Sequence, residues 1–113
     1  MAAELSQPEA VEKLFADVAA RFDTLDVVVA NAGINCVWSP ISELTPEEWT
    51  TTISVNLTGT LLTVKYALPL LRAAGGGSII VTASVNGTRI FDAASHIAGT
   101  EVWIDGAQSL LVG

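Results

Sequence analysis

Two short apolar runs and two amphipathic stretches set the pattern of this chain. The runs cover residues 26–30 and 78–83, and both are dominated by valine and isoleucine. Because neither run alternates with polar residues, we predict two strands covered on both faces, as in a parallel sheet with helices on each side. A helical stretch connects the runs. Such a strand, crossover helix, strand unit places functional groups at the carboxyl ends of its strands.

The first amphipathic stretch follows Ser6–Glu9, which we interpret as a capping box with Ser6 as the N-cap. Apolar residues then recur at helical spacing and predict a helix of about four turns that ends near Phe22–Asp23. Lys13 and Asp17 lie on the opposite side at the spacing of an ion pair. The apolar face comprises Val11, Leu14, Phe15, Val18 and Phe22.

A second and longer helix is predicted from Thr45 to Ala73. Thr45 is the expected N-cap, Pro46 occupies the first helical position, and Glu48 completes a capping box. The glycines at 75–77 close the helix, and Pro69 should loosen its last turns.

This second helix is apolar on two sides, which predicts burial on two sides. One side can cover the sheet, and the other suggests contact with a second subunit. The first face comprises Trp49, Ile53, Leu57, Leu61, Val64, Leu68 and Leu71, and the second Val55, Leu62, Tyr66 and Leu70. A stripe of small and polar residues separates them: Thr52, Asn56, Gly59 and Thr63. Asn56 is unfavourable in mid-helix, so it is either a satisfied buried amide or a functional residue.

Size and composition fit one small globular domain. The chain has 113 residues, half of them apolar, and a mean hydropathy of +0.51, which argues against disorder. Its net charge of −7 argues against nucleic acid and anionic membranes as partners. Cys36 is a lone cysteine, which fits a reducing compartment. No leader and no membrane-spanning run is visible, so we expect a cytoplasmic protein.

Candidate chemistry lies where the two predicted strands end. Asn31-Ala32-Gly33 follows the first strand, as either an ordinary turn or a close backbone approach to a ligand. Ser84 follows the second strand, with Gly87 three residues later, and a turn serine is the alternative there. We predict no metal site, and we interpret His96 as a surface residue.

The order of these residues, with Asn56 in the helix between them, resembles the short-chain dehydrogenase/reductase family. The resemblance implies an α/β fold, an incomplete three-layer Rossmann-type domain with a doubly wound parallel sheet. It implies a single partial domain over 1–113. Residues 1–91 would form its central part, and residues 92–113 its C-terminal strand and tail.

The same resemblance implies an oxidoreductase that uses NAD or NADP on carbonyl or secondary alcohol groups of a small molecule. Ser84 would bond the substrate oxygen, and Asn56 would organise a proton-relay water. Asn31, Ala32 and Gly33 would border the cofactor. Glu4 and Leu5 are similar to the family's acidic–apolar pair near the adenine. The helix at 45–73 would serve as an oligomer interface.

Two family features are absent from the 113 residues. No glycine-rich turn follows a strand at the front of the chain, and no Tyr-x-x-x-Lys occurs, because Tyr66 is followed four residues later by Leu70. The join at Phe91–Asp92 suggests lost internal sequence. We therefore expect this shortened form to be inactive. Two alternatives stay open: an interaction protein that pairs with a full-length dehydrogenase through helix 45–73, and an unrelated small α/β binding domain.

Overall fold

The computed structural model describes residues 1–35, 37 and 40–84. Helix α1 spans Pro8–Ala19, strand β1 Val27–Ala30 and helix α2 Pro46–Ile53. A π-helical segment over Ser54–Thr58 leads into helix α3, Gly59–Ala73, and strand β2 spans Ser78–Val81. The expectations for Cys36, His96 and the segment after Ser84 lie outside the described residues.

The two strands form the predicted parallel pair. Val27 lies opposite Ser78, and the register continues to Ala30 opposite Val81. The connection between them contains α2, the π-helical segment and α3. α3 packs against both strands and against α1. This is the βαβ arrangement that the two apolar runs predict.

The core is a small cluster between α3 and one face of the sheet. Val28, Ala67 and Leu71 are buried at its centre, and Phe15, Leu25 and Ile79 pack around them. Burial of their apolar surface, at about 25 cal/mol per Å², supplies the main force holding α3 on the strands and α1 on α3.

The prediction that both faces of β1 are covered is wrong for the described part of the chain. Val28 and Ala30 are buried, but Val27 is 55% exposed and Val29 58% exposed. Residues alternate between the two faces of a strand. In the described ranges, α3 packs on one of those faces and no described helix packs on the other. Among the described residues, β1 therefore buries one of its two apolar faces.

The predicted capping box at Ser6–Glu9 is also wrong. Gln7 is the N-cap and makes no side-chain capping bond, while the Ser6 hydroxyl and amide donate to Glu4 Oε1 at 3.0 and 3.2 Å. The reason is Pro8 at the first helical position. Proline forces the residue before it out of the helical region, and Gln7 accordingly has φ −110° and ψ 107°. The helix therefore starts one residue later than a serine cap would allow.

The other end of α1 is close to the prediction. The regular helix ends at Ala19, but helical hydrogen bonding continues to the Phe22 amide, which donates to the Val18 carbonyl at 2.9 Å. The Lys13–Asp17 ion pair forms at 2.8 Å. The Lys13 hydrogen bond holds the pKa of the Asp17 carboxyl below its usual value.

Both ends of the long helix are confirmed. Thr45 caps α2, and the reciprocal bonds with Glu48 complete the capping box. At the far end, Gly75 has φ +85° and its amide donates to the Arg72 carbonyl, while the Gly76 amide donates to the Leu71 carbonyl. These two bonds define a Schellman motif, in which a glycine adopts the left-handed conformation.

Candidate functional site

The carboxyl ends of β1 and β2 meet at one edge of the sheet. The Thr82 amide donates to the Ala30 carbonyl at 3.1 Å, one residue beyond the end of β2. The Thr82 hydroxyl also donates to Asn31 Oδ1 at 2.8 Å. These contacts fix the start of the Asn31–Gly33 turn beside the chain that leads to Ser84. Parallel pairing thus brings together the two polar sequences that are 51 residues apart.

Asn56 reaches this edge from the long helix. Its Oδ1 accepts from the Ile34 amide at 2.8 Å, and its Nδ2 donates to the Ile34 carbonyl at 2.8 Å. The amide side chain therefore pairs with one residue's backbone as a neighbouring strand would. Asn56 is exposed, so the interpretation as a buried amide is wrong, although its hydrogen bonds are satisfied.

Gly33 lies directly under that side chain. An added Cβ at Gly33 would stand 3.2 Å from Asn56 Oδ1, closer than side chains normally pack. The small residues of the Asn31-Ala32-Gly33 turn thus let the loop pass beneath the helix and leave all three residues exposed. The turn therefore approaches the Asn56 side chain closely, and its approach to a ligand stays a prediction.

Asn56 lies at the centre of the π-helical segment, which the residue pattern along the helix does not predict. In this segment the helix takes in one more residue per turn, and the Gly59 amide donates back to the Ser54 carbonyl. Single π turns inside α-helices occur frequently at functional sites. The sequence signal available for this π turn was a mid-helix asparagine close to threonine and glycine, since each of these residues is a weak helix former.

Leu5 lies against the same helix, at Gly59. Gly59 is buried, and an added Cβ there would stand 2.9 Å from Leu5 Cβ and 3.1 Å from the Leu5 carbonyl oxygen. The N-terminal segment is therefore in contact with the helix backbone at Gly59. The Glu4 carboxylate is turned to Ser6, from which it accepts two hydrogen bonds.

The remaining predicted residues take different positions. Ser84 is exposed and lies three residues past the end of β2. Tyr66 lies in α3 and packs against Phe15 of α1, with ring centroids 6.4 Å apart, and Lys65 Nζ is 5.1 Å from the Tyr66 centroid. Tyr66 is thus part of the α1–α3 packing.

Among the described residues no polar or charged side chain is buried, and no group of acidic, histidine or cysteine side chains is arranged to hold a metal ion. No helix in the described ranges is long and apolar enough to cross a membrane. At the sheet edge the described residues supply backbone groups, the amide side chains of Asn31 and Asn56, and the hydroxyl of Thr82.

A parallel strand pair, a crossover helix and a polar strand edge define part of a Rossmann-type α/β fold. The family model for the short chain dehydrogenases matches residues 1–98. The chain belongs to this family.

Relatives and solved structures agree with this assignment. The chain is 42% identical over 92 residues to an uncharacterized NAD-dependent oxidoreductase of Mycobacterium tuberculosis, which covers 80% of this chain and 33% of that protein. It is similar to the crystal structure of a 3-ketoacyl-ACP reductase from Sinorhizobium meliloti, with a TM-score of 0.76 and 45% identity over 84% of this chain and 39% of that one.

A third similarity is to an alcohol dehydrogenase from the archaeon Thermococcus sibiricus, solved in complex with 5-hydroxy-NADP. Its TM-score is 0.74 and its identity 34%, over 86% of this chain and 43% of that one. The chain spans about a third of the length of the curated relatives it matches. Its neighbours show that a nicotinamide cofactor is used in the family.

Proposed function

We propose that these residues form part of the active site of an NAD- or NADP-dependent oxidoreductase that acts on carbonyl or secondary alcohol groups. The observation that carries this proposal is the pair of hydrogen bonds between Asn56 and Ile34. These bonds hold the exposed Asn31–Gly33 turn at the same sheet edge as the segment that ends in Ser84. In open α/β sheets, ligands bind at this edge.

The described residues fit two ends of such a cofactor. The small turn at Ala32–Gly33 leaves exposed backbone that a flat ring can approach, and Leu5 offers an apolar surface beside Gly59. We assign the Ala32–Gly33 backbone to the nicotinamide-ribose side of the cofactor. We assign the apolar surface of Leu5, with Glu4, to its adenine side. In the described ranges no glycine-rich turn at a helix N-terminus is present to hold a pyrophosphate. When bound, the cofactor supplies or accepts a hydride.

Two side chains of this chain have proposed roles toward the substrate. The Ser84 hydroxyl donates a hydrogen bond to the substrate oxygen and so favours negative charge on it. Asn56 fixes the helix segment and the loop around a proton-relay water. Proton transfer near neutral pH also requires a group with a tuned pKa, and the 113 residues contain no Tyr-x-x-x-Lys to provide it. We therefore propose that the 113-residue chain alone does not turn over substrate.

The test is a thermal melt of the 113-residue chain with and without millimolar NADH or NADPH. A ligand that binds only the folded state raises the midpoint, with a stabilisation of about 2.7 kcal/mol at a hundred times the dissociation constant. We expect a rise that is reduced in Asn56→Ala, which loses both bonds to Ile34. Thr51→Ala is the matched control, because it removes a helix hydroxyl bonded only to the Glu47 carbonyl. No rise with either cofactor in the unmodified chain would contradict the proposal.

A second candidate function is pairing with another chain through the helix at 45–73. Trp49, Leu57 and Leu61 are 41%, 51% and 63% exposed and recur at multiples of four residues, so they form one strip along the helix. A strip of this kind is typical of an interface. We propose a homo- or hetero-oligomer. For the homo-oligomer, which this measurement tests, we expect Leu61→Glu to reduce the mass measured by light scattering. An unchanged mass, or a monomeric unmodified chain, would contradict this.

We propose that the protein is cytoplasmic, because a single cysteine fits a reducing compartment. We also propose that residues 1–113 form one partial domain.

A further inference from the structure

One helical turn contacts both loops to which the cofactor is assigned. Asn56 holds the loop after β1 through Ile34, and Gly59, three residues later, contacts the segment around Leu5. Gly59 directly follows the π-helical segment that contains Asn56, so the two residues lie within one turn of the helix. The two loops thus come to one turn of the helix from different parts of the sequence.

We propose that Gly59 is a positioning residue that, together with Asn56, sets the distance between these two loops. This inference rests on the proposed function for the identity of the ligand. The contact at Gly59 is to Leu5 Cβ and to the Leu5 carbonyl oxygen, at 2.9 and 3.1 Å from the position of an added Cβ. One of those atoms is backbone, so a rotamer change at Leu5 cannot relieve the contact.

The packing predicts the direction in which Gly59→Ala changes the melting midpoint. Replacing glycine by alanine inside a helix ordinarily stabilises it, because glycine loses more backbone entropy on folding. Gly59 is buried and lies at the first position of α3. If nothing but helix propensity acted there, Gly59→Ala would raise the melting midpoint. The contact with Leu5 predicts instead that the 4–7 segment is pushed off the helix.

The structural test uses amide hydrogen exchange in the 113-residue chain without any ligand. In Gly59→Ala we expect the Gln7 amide, which donates to the Glu4 carbonyl at 3.1 Å, to exchange at least tenfold faster, with the Ile34 amide unchanged. In Asn56→Ala we expect the Ile34 amide to exchange faster, with the Gln7 amide unchanged. Leu5→Gly in the Gly59→Ala background removes the closer of the two contacts and should restore part of the Gln7 protection. Leu5→Gly alone is its control.

The ligand test uses the two halves of the cofactor as separate probes. Gly59→Ala should weaken binding of adenosine monophosphate at least fivefold and leave nicotinamide mononucleotide unchanged. If the unmodified chain binds neither probe, the proposed function fails, while the exchange data still decide the role of Gly59. A Gly59→Ala chain with normal Gln7 protection and a raised midpoint would overturn the inference, as would equal loss of protection at Gln7 and Ile34.

Discussion

Gly77 shows how much a single residue decides in this chain. It lies between the end of the long helix and β2, and an added Cβ would stand 2.5 Å from the Asp26 carbonyl oxygen and 2.6 Å from Leu71 Cδ2. The same Asp26 oxygen accepts from the Ser78 amide at 2.9 Å, immediately before the first paired residues of the strands. A side chain at this position would therefore disturb both the sheet and the core.

We expect Gly77→Ala to lower the free energy of unfolding by about 1–3 kcal/mol, the range for overpacking a filled site. Urea unfolding followed by circular dichroism measures this. Gly75→Ala is the matched control: it has φ +85° but no atom within 4 Å of an added Cβ. Gly75→Ala should lower the free energy of unfolding by about 1–2 kcal/mol, through the left-handed backbone conformation alone. A Gly77→Ala chain as stable as the unmodified chain would show that the strand end adjusts freely.

At the scale of elements, the long helix is defined by its two ends and interrupted in its middle. Thr45–Glu48 and Gly75–Gly76 satisfy terminal backbone groups through local bonds. A π-helical segment, Ser54–Thr58, lies between α2 and α3. Two threonines on each side of it, 51 and 52 before and 60 and 63 after, donate to carbonyls four residues earlier, and such bonds often bend helices.

The N-terminal cap should make the helix sensitive to pH. The Thr45 amide and hydroxyl both donate to Glu48 Oε2 at 2.8 Å. These bonds hold the pKa of the Glu48 carboxyl below its usual value, and the bond from the backbone amide has the larger effect. A carboxyl with a lowered folded pKa stabilises the fold above its unfolded pKa of about 4.3, and this stability is lost as the pH falls through the folded pKa.

We expect Glu48→Gln to be less stable than the unmodified chain at pH 7 and to approach it at pH 3. Urea unfolding at both pH values measures the difference. Glu47→Gln removes an exposed carboxylate of the same turn that takes no part in the bonds with Thr45, and serves as the control. A deficit for Glu48→Gln that is the same at both pH values would contradict the assignment of the stabilising bonds to the ionised carboxylate.

Thr45→Ala tests the other half of the cap. It removes the hydroxyl that accepts from the Glu48 amide at 3.2 Å, and loss of a threonine N-cap costs about 1 kcal/mol. Ser6→Ala is the comparison, because Ser6 bonds to Glu4 and not to the first turn of α1. We expect the melting midpoint to fall for Thr45→Ala only. An equal fall for both would mean that Ser6 also caps a helix in solution.

At the scale of the whole molecule, the described sheet has one covered and one open face. Val28 is 8% exposed, against 58% for its neighbour Val29. The two valines differ by one position in the same strand, so their side chains point to opposite faces. Together with exposed Ile80 on β2, this leaves apolar surface on a sheet whose fold family covers both sides.

Two matched substitutions measure whether that face is open in solution. Val28→Thr places a hydroxyl in the core and should cost about 1–3 kcal/mol. Val29→Thr should change the unfolding free energy by no more than about 0.5 kcal/mol, as is usual for a surface position. Chemical denaturation of both variants gives the comparison. A large cost for Val29→Thr would show that another segment or another chain covers the face.

The sequence alone determined the features that rest on local chemistry. Thr45, Pro46 and Glu48 predict a helix start, Gly75 a helix end, and two valine- and isoleucine-rich runs a parallel pair, because caps, turns and strand propensity act over a few residues. It also predicted that Asn31–Gly33 and Ser84 follow neighbouring strands, since parallel strands end at the same edge.

Only the tertiary structure decided how the elements meet. The bonds of Asn56 to Ile34 join residues 22 positions apart, and the contact of Gly59 with Leu5 joins two segments with no common sequence signal. Which face of β1 is buried, and where the helix takes up its π turn, likewise depend on what packs nearby. Long-range contacts of this kind follow from the three-dimensional path of the chain, which residue periodicity does not encode.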